Sequence, residues 1–116
     1  MTDPSPAEPR RLLEQMQLVR AYEEVLVAGQ QTGRSPGTCT SIGQEASSVG
    51  VVNALAPEDK ILTNHRSAGH LIARGADPGR LLAEVMGRRD GYCGGLSGSL
   101  HISAKELGVV LTSTIV

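Results

Sequence analysis

The sequence is poor in aromatic side chains. Its 116 residues include no Phe, no Trp and only two Tyr. Because aromatic rings usually supply much of the buried area of a core, this core has to come from Leu, Val, Ile, Ala and Met. The chain also contains 14 Gly, and glycine loses more conformational freedom on folding than any other residue. We therefore expect the chain to depend on partner chains for a stable fold.

Other shortages exclude whole classes of partner. A formal net charge of -1 gives no basic excess, which binding to nucleic acid or to an anionic membrane requires. Cys39 and Cys93 have neither metal-ligand spacing nor the pattern of a disulfide framework, so no metal site is predicted in this chain. No apolar run is long enough to span a bilayer, and the start of the chain lacks the apolar segment of a secretory signal. The sequence predicts a soluble, cytoplasmic protein.

Hydrophobic periodicity and turn residues predict one domain, residues 8–116, after a flexible Pro-rich lead-in at residues 1–7. Helices are expected over 7–31, 43–55, 67–74 and 77–87, the last with Asp77 as N-cap and Pro78 in the first turn. Short strands are expected at 60–63, 109–111 and 115–116. The first helix should bury an apolar stripe of Leu12, Leu13, Met16, Val19, Tyr22, Val25 and Leu26. The second should present a small-residue face of Ala46, Val49, Gly50, Asn53 and Ala54.

The stretch from Ile61 to Gly75 concentrates the charged and titratable groups. A short apolar run breaks at Asn64, and His65 and Arg66 then precede a predicted helix. Main-chain N–H groups at a helix N-terminus favour anions, and an arginine adds a rigid fork of donors for phosphate or carboxylate. The alternative is that Arg66 is a solvated loop residue and His65 a partly buried histidine. Arg74 and Arg88 are expected to face solvent or helix packing.

The segment 91–99 contains four glycines and is not expected to form a regular element. Glycine-rich loops let the backbone approach a ligand closely, but they also serve as plain linkers. The segment lacks the Gly-Lys-Ser/Thr of a phosphate-binding loop and the glycine spacing of a dinucleotide site. Composition therefore favours the linker.

Six short motifs occur in one fixed order along the chain. They are Gly43-Gln44-Glu45-Ala46 with Val49-Gly50, Asp59-x-Ile61, His65-Arg66-x-x-Gly69-His70, Ala73-Arg74-Gly75, Ala83-Glu84-x-x-Gly87-Arg88 and Gly98-Ser99-x-His101. This order resembles the alpha subunit of the thiamine diphosphate-dependent 2-oxo acid dehydrogenases, the first component of the pyruvate, branched-chain and acetoin dehydrogenase complexes. The acetoin type is the most similar. The resemblance covers Leu12 to Val116 and corresponds to the first third or so of such a subunit.

The resemblance implies an α/β fold class: the N-terminal part of a thiamine diphosphate-binding, transketolase-like fold, helix-rich with short parallel strands and completed by partner chains. It implies that His65 and Arg66 contact the diphosphate of the cofactor, and that the backbone of Ile115 and Val116 meets its aminopyrimidine ring. The ligands of Mg²⁺ are expected on a C-terminal alpha-type chain. The glutamate that activates the ring is expected on a beta-type chain.

Several residues depart from the family pattern. Cys39 stands where many relatives carry an active-site His, and Ala68 stands where relatives have a His after the Arg. Thr114 replaces the Gly of a Gly-Ile-Val segment, and Gly94, Leu96 and Ser97 replace a Lys-x-Lys-Gly pattern. The loss of two imidazoles removes proton donors and acceptors, so we expect a different substrate pocket. Cys39, His70 and His101 are the candidate pocket residues, and no catalytic residue is assigned in this chain.

Three hypotheses follow for the function. The leading one is the N-terminal piece of a split alpha subunit, which acts on a 2-oxo acid or an acyloin and contributes diphosphate contacts. The second is a non-catalytic assembly module or relic that binds no cofactor. The third is a longer enzyme cut short.

Overall fold

The longest element is a helix, α1, that runs from Pro9 to Gln31 in the computed structural model, which describes residues 8–113. The proline at its first position suits a helix start, because the first turn does not use that N–H. The predicted lead-in, residues 1–7, lies outside the described residues. Val19, Tyr22 and Leu26 are buried as expected, which confirms the centre of the stripe.

The stripe on α1 is narrower than predicted. Leu13 is 51% exposed and Val25 is 56% exposed, whereas Glu23 is only 2% exposed. The helix packs against the second and third helices along a single face, and Glu23 lies on that face because it follows Val19 by four residues and precedes Leu26 by three. Leu13 and Val25 lie beside the face rather than on it.

The second and third helices, α2 (Glu45–Ala54) and α3 (Ala68–Ala73), make the closest helix contact. A Cβ added at Gly69 would lie 2.2 Å from Oγ of Ser48, so only glycine fits there. The predicted small-residue face of α2 is wrong in part, because Val49 is buried but Ala46, Gly50 and Ala54 are exposed. The close approach uses a glycine on α3 instead.

Two short strands, β1 (Ile61–Asn64) and β2 (Val109–Ser113), pair in parallel, with Leu62 opposite Leu111. The predicted parallel strands are thereby confirmed within the described residues, and the predicted strand at 115–116 lies outside them. The fourth helix, α4 (Pro78–Val85), begins as predicted: Oδ1 of Asp77 accepts the N–H of Arg80 at 2.9 Å. It ends before Gly87, and a 3₁₀ turn, Lys105–Leu107, precedes β2.

The core lies between the helices and one face of the strand pair, and it is aliphatic apart from Tyr22, as the composition predicts. Its largest fully buried apolar residues are Val19, Val49, Leu71, Leu81 and Val109. None of the described helices is long and apolar enough to cross a bilayer.

Arg74 joins the segments around the strand pair. Its guanidinium donates to the carbonyls of Leu107 at 2.8 Å, Pro57 at 2.9 Å and Asp59 at 2.6 Å. The expectation that Arg74 faces solvent or helix packing is therefore wrong, because its donors satisfy carbonyl groups that no strand or helix uses. Arg88 is exposed, as expected.

The outer face of the strand pair carries exposed leucines. Leu62 is 70% exposed and its cross-strand partner Leu111 is 45% exposed. Parallel strands in proteins are usually covered on both faces, and a two-stranded sheet is marginally stable by itself. This face therefore favours contact with further polypeptide.

We predict that the chain expressed alone does not form a stable monomer, because of this uncovered face and the small aliphatic core. Replacing Leu62 and Leu111 by Thr, which keeps strand propensity, should increase the soluble fraction and reduce self-association. Size-exclusion chromatography and thermal melts at several concentrations measure both. Leu96→Thr, at a residue that is 92% exposed but outside the strand pair, is the matched control. A sharp, concentration-independent melt of the unmodified monomer would contradict the prediction.

Candidate functional site

Arg66 connects the end of β1 to the loop that precedes α2. Its main-chain N–H bonds Oδ1 of Asn64 at 2.9 Å, and Nη1 of its guanidinium donates to the carbonyl of Thr40. The side chain is half-buried and makes no other hydrogen bond or ion pair within residues 8–113. The guanidinium is therefore fixed by one contact, and most of its five donors remain for a ligand.

The end of α3 contributes less to this site than the sequence predicts. The helix has six residues, and its N-cap, Ser67, makes no side-chain capping hydrogen bond. Because the helix dipole is the sum of aligned peptide dipoles, such a short helix offers a weak electrostatic field. The charge at the site comes mainly from Arg66.

His65 lines a small cavity between α1, α3, α4 and the loop before α2. The cavity has a volume of about 20 Å³ and is lined by Tyr22, Glu23, Leu26, Thr38, Cys39, His65, Ser67, Ala68, Leu81, Val85, Ser99 and Ile102. Nδ1 of His65 is buried and has no hydrogen-bond partner among the described residues. The structure thus brings Cys39, from the loop before α2, together with His65 and Ala68.

The other two predicted pocket residues lie elsewhere. His70 is on α3 and does not line this cavity; burial lowers the pKa of its imidazole, and its Nδ1 has no partner in the described part of the chain. His101 is exposed, with Nδ1 at 3.4 Å from the carbonyl oxygen of Thr112. Ile115 and Val116, together with Thr114, fall outside the described residues.

The residues present suit contacts to an anionic group, but not enclosure of a cofactor. A cavity of about 20 Å³ has room for roughly one water molecule. An anion would therefore lie outside the cavity, against the half-exposed Arg66. Within residues 8–113, no three His, Cys, Asp or Glu side chains stand together so that they could hold a metal ion. A much larger hollow, about 440 Å³ between α1 and the start of α2, is not lined by His65 or Arg66.

Glu23 is the main residue at the cavity that sequence reasoning missed. Its Oε1 accepts the hydroxyl of Ser41 at 2.6 Å and the N–H of Ser41 at 3.2 Å, which ties the loop before α2 to α1. Charged residues of a surface helix are expected to face solvent. The sequence contained one signal for the burial of Glu23, namely its position within the apolar stripe of α1.

Glu45 has a similar role at the first motif. It pairs with Arg20 through two hydrogen bonds, of 2.6 and 3.2 Å, and accepts the N–H of Gly43 at 3.0 Å. The hydrogen bond from Arg20, with further main-chain bonds, lowers the pKa of Glu45 to about 2. This carboxylate therefore stays charged at physiological pH and fixes the turn that leads into α2.

Glu84 organises the glycine-rich segment 91–99. This fully buried carboxylate accepts the N–H groups of Cys93 at 3.0 Å, Gly95 at 2.6 Å and Ser97 at 2.8 Å, and also the Ser97 hydroxyl. A Cβ at Gly91 would lie 2.5 Å from the backbone of Glu84, so this close wrapping requires glycine. The linker interpretation is therefore wrong: the segment is an ordered loop around a buried charge.

Residues 14–116 match the family described as the dehydrogenase E1 component. The chain belongs to this family. It is 36% identical over 96 residues to the alpha subunit of acetoin:2,6-dichlorophenolindophenol oxidoreductase from Cupriavidus necator, a match that covers 82% of this chain and 29% of that protein. It is 41% identical over 95 residues to the alpha subunit of the pyruvate dehydrogenase E1 component from Rhizobium meliloti, covering 79% and 27%. The mitochondrial counterpart from Saccharomyces cerevisiae is 38% identical over 95 residues, covering 81% and 23%.

These matches confirm the resemblance drawn from the six motifs. The matched part of this dehydrogenase E1 chain spans less than a third of the length of these relatives. It contains His65, Arg66, Glu84 and the loop that Glu84 holds. The helix-rich unit with two parallel strands is thus an α/β part of this family.

We predict that Glu84→Gln destabilises this dehydrogenase E1 chain by about 2–3 kcal/mol, because an amide nitrogen would face main-chain donors and leave them unpaired. Burial raises the pKa of Glu84, but the hydrogen bonds from Ser97, Gly95 and Cys93 outweigh it, so the net pKa lies below the ordinary 4.5. Because the pKa of Glu84 is lower in the folded than in the unfolded chain, its ionised form stabilises the fold above the ordinary pKa of 4.5. This stabilisation is lost as the pH falls through the folded-state pKa. The variant should therefore depend less on pH below 4.5.

Denaturant titrations of the assembled protein between pH 3 and 7 measure both effects. Glu106→Gln is the matched control, because Glu106 forms only an exposed ion pair with Arg80 at 3.4 Å and should change stability by less than about 1 kcal/mol. Equal losses for the two variants would contradict the role of Glu84.

Proposed function

We propose that this chain is the N-terminal piece of the alpha subunit of a thiamine diphosphate-dependent enzyme that acts on a 2-oxo acid or an acyloin. Its fold is then the start of a transketolase-like α/β domain. Membership in the dehydrogenase E1 family supports the proposal, as do relatives named for acetoin and pyruvate dehydrogenase activities. The thiazolium of the cofactor would supply the electron sink for a carbanion, and this chain would supply binding and orientation.

The proposal rests mainly on the burial and hydrogen bonding of the Arg66 guanidinium. A half-buried guanidinium, held by the Thr40 carbonyl and otherwise unpaired within residues 8–113, lies next to His65. None of its remaining donors is buried, so they are accessible to a ligand from solvent. A diphosphate oxygen satisfies these donors, because phosphate matches the planar fork of a guanidinium. His65 would add a second, neighbouring donor.

The remaining parts of the enzyme belong to partners in this proposal. A C-terminal alpha-type chain would carry the ligands of Mg²⁺, and a beta-type chain the glutamate that activates the aminopyrimidine. The exposed pair of Leu62 and Leu111 supports contact with further polypeptide. The assembly would be a cytoplasmic hetero-oligomer.

The cavity residues bear on the substrate side of the reaction. Cys39 and Ala68, which stand in place of two family imidazoles, both line the cavity of His65. Neither a methyl group nor a thiol at these positions replaces an imidazole as a proton donor and acceptor near pH 7. We therefore propose decarboxylation, or acyloin chemistry, as the main activity in preference to reductive acylation of a lipoyl group.

In the assembled enzyme, Arg66→Ala should weaken binding of thiamine diphosphate with Mg²⁺ by about 2–4 kcal/mol, because it leaves a phosphate oxygen without a charged partner. This corresponds to a factor of roughly 30 to 1,000 in Kd. Arg66→Lys should recover only part of the affinity, since a point charge does not reproduce the fork. Calorimetric titration of the cofactor measures the effect.

Arg88→Ala is the matched control, because Arg88 is exposed. Arg74→Ala is unsuitable, since Arg74 holds four carbonyl groups around the strand pair, those of Ala56, Pro57, Asp59 and Leu107. Equal affinities for the unmodified enzyme and Arg66→Ala would remove the diphosphate role. They would favour the alternative, an assembly module of the family that binds no cofactor.

We predict that the assembled enzyme decarboxylates a 2-oxo acid, or forms an acyloin, faster than it acylates a lipoyl group. The physical reason is the missing pair of imidazoles at Cys39 and Ala68. Steady-state rates with a lipoylated acceptor, compared with rates with an artificial oxidant such as dichlorophenolindophenol, measure the difference. Comparable turnover with both acceptors would show that another group, such as His70, has taken over the proton transfer.

A further inference from the structure

The small cavity beside His65 is lined by both apolar and polar side chains. Among its lining residues are Glu23, which is 2% exposed, and Ser67, which is also 2% exposed. Nδ1 of His65 is buried without a partner. The hydroxyl groups of Ser67 and Ser99 make no hydrogen bond within the described residues. Among the polar side chains at this cavity, those of His65, Ser67 and Ser99 thus have unused hydrogen-bonding capacity.

The dimensions of the cavity fit a single water molecule. Its volume of about 20 Å³ exceeds the roughly 10–15 Å³ that a water molecule needs, and a buried water makes two to four hydrogen bonds. Cavities that stay empty in proteins are lined by apolar groups alone, whereas this one also has polar groups in its lining. The orphaned nitrogen and the free hydroxyls are the groups that such a water would satisfy.

We infer that one buried water links the Glu23 carboxylate to Nδ1 of His65, so that Glu23 positions the His65 ring for an anionic ligand. An ionised carboxylate can only accept hydrogen bonds, so the water gives it one proton. The hydroxyls of Ser67 and Ser99 can donate to the water oxygen. The second proton of the water is then directed to Nδ1.

This arrangement selects one form of the ring. When Nδ1 of a neutral imidazole accepts a hydrogen bond, the proton of the ring resides on Nε2. Nε2–H is a donor and suits a phosphate oxygen, whereas an unprotonated Nε2 would repel it. The role given to Glu23 therefore rests on the proposed contact between His65 and the diphosphate. Glu23 does not itself touch the ligand.

Nitrogen-15 NMR of the histidine-labelled chain in its assembled complex tests the link directly. We expect His65 to show a protonated Nε2 and an unprotonated, hydrogen-bonded Nδ1. In Glu23→Gln, the signals should move toward the average of the two tautomers. Glu24→Gln, which changes an exposed carboxylate next to Glu23, should leave them unchanged. A proton on Nδ1 in the unmodified complex would overturn the inference, and this measurement needs no variant to fold.

Cofactor binding tests the consequence. Glu23→Gln should weaken binding of thiamine diphosphate with Mg²⁺ about tenfold, the size of effect found when an outer partner of a ligating histidine is removed. If Glu23 acts through His65, the double variant with His65→Asn should bind no more weakly than His65→Asn alone. Additive losses would instead indicate a purely structural role and overturn the inference. If neither His65→Asn nor Arg66→Ala changes the affinity, the proposed function fails, while the NMR result still decides whether Glu23 and His65 are linked.

Discussion

Buried carboxylates that accept main-chain N–H groups hold the loops of this protein. Glu84 accepts three N–H groups of the segment 91–99, Glu45 accepts that of Gly43, and Glu23 accepts that of Ser41. Loops rich in glycine have few side chains to bury, so hydrophobic packing cannot order them. Charge-assisted hydrogen bonds are about twice as strong as neutral ones, but the carboxylate must first lose its hydration. The loops therefore become ordered only when the helices that carry the glutamates are in place.

These ordered loops hold the candidate site rigid. The loop before α2 is tied to α1 through Ser41 and Glu23, and the guanidinium of Arg66 donates to Thr40 of the same loop. Ser99, which follows the loop around Glu84, closes the cavity from the other side. Arg66 and His65 are thus held between two segments, each anchored by a buried glutamate. Such fixed donors bind an anion with little further loss of conformational entropy.

The regular elements could be predicted from the sequence because local signals mark them: Asp77 with Pro78 begins α4, and Val19, Tyr22 and Leu26 repeat along α1. The buried glutamates could not be predicted in this way, because helical periodicity places charged residues on the solvent side. Periodicity also gives no information about N–H donors from loops that are distant in the sequence. The strands, His65 and Arg66 were predicted from the local pattern of the sequence, whereas the diphosphate role of the two residues came from the family resemblance and stays a prediction. The cavity itself could not be predicted from local signals, since the loop that carries Cys39 comes beside His65 and Ala68 only in the folded chain.

The small cavity divides the surroundings of His65 into an outer side, which is open to a ligand, and an inner side, which lies next to Glu23. Its volume of about 20 Å³ excludes a cofactor, so the proposed anionic ligand would bind on the outer side, where Arg66 supplies a permanent charge. The inner side, next to Glu23, can only orient the ring of His65. A carboxylate placed directly against the anion would repel it, but one that is buried behind the imidazole can fix the ring without that cost. Burial of the glutamates, which orders the loops, thus leaves the positively charged Arg66 on the outer side of the site.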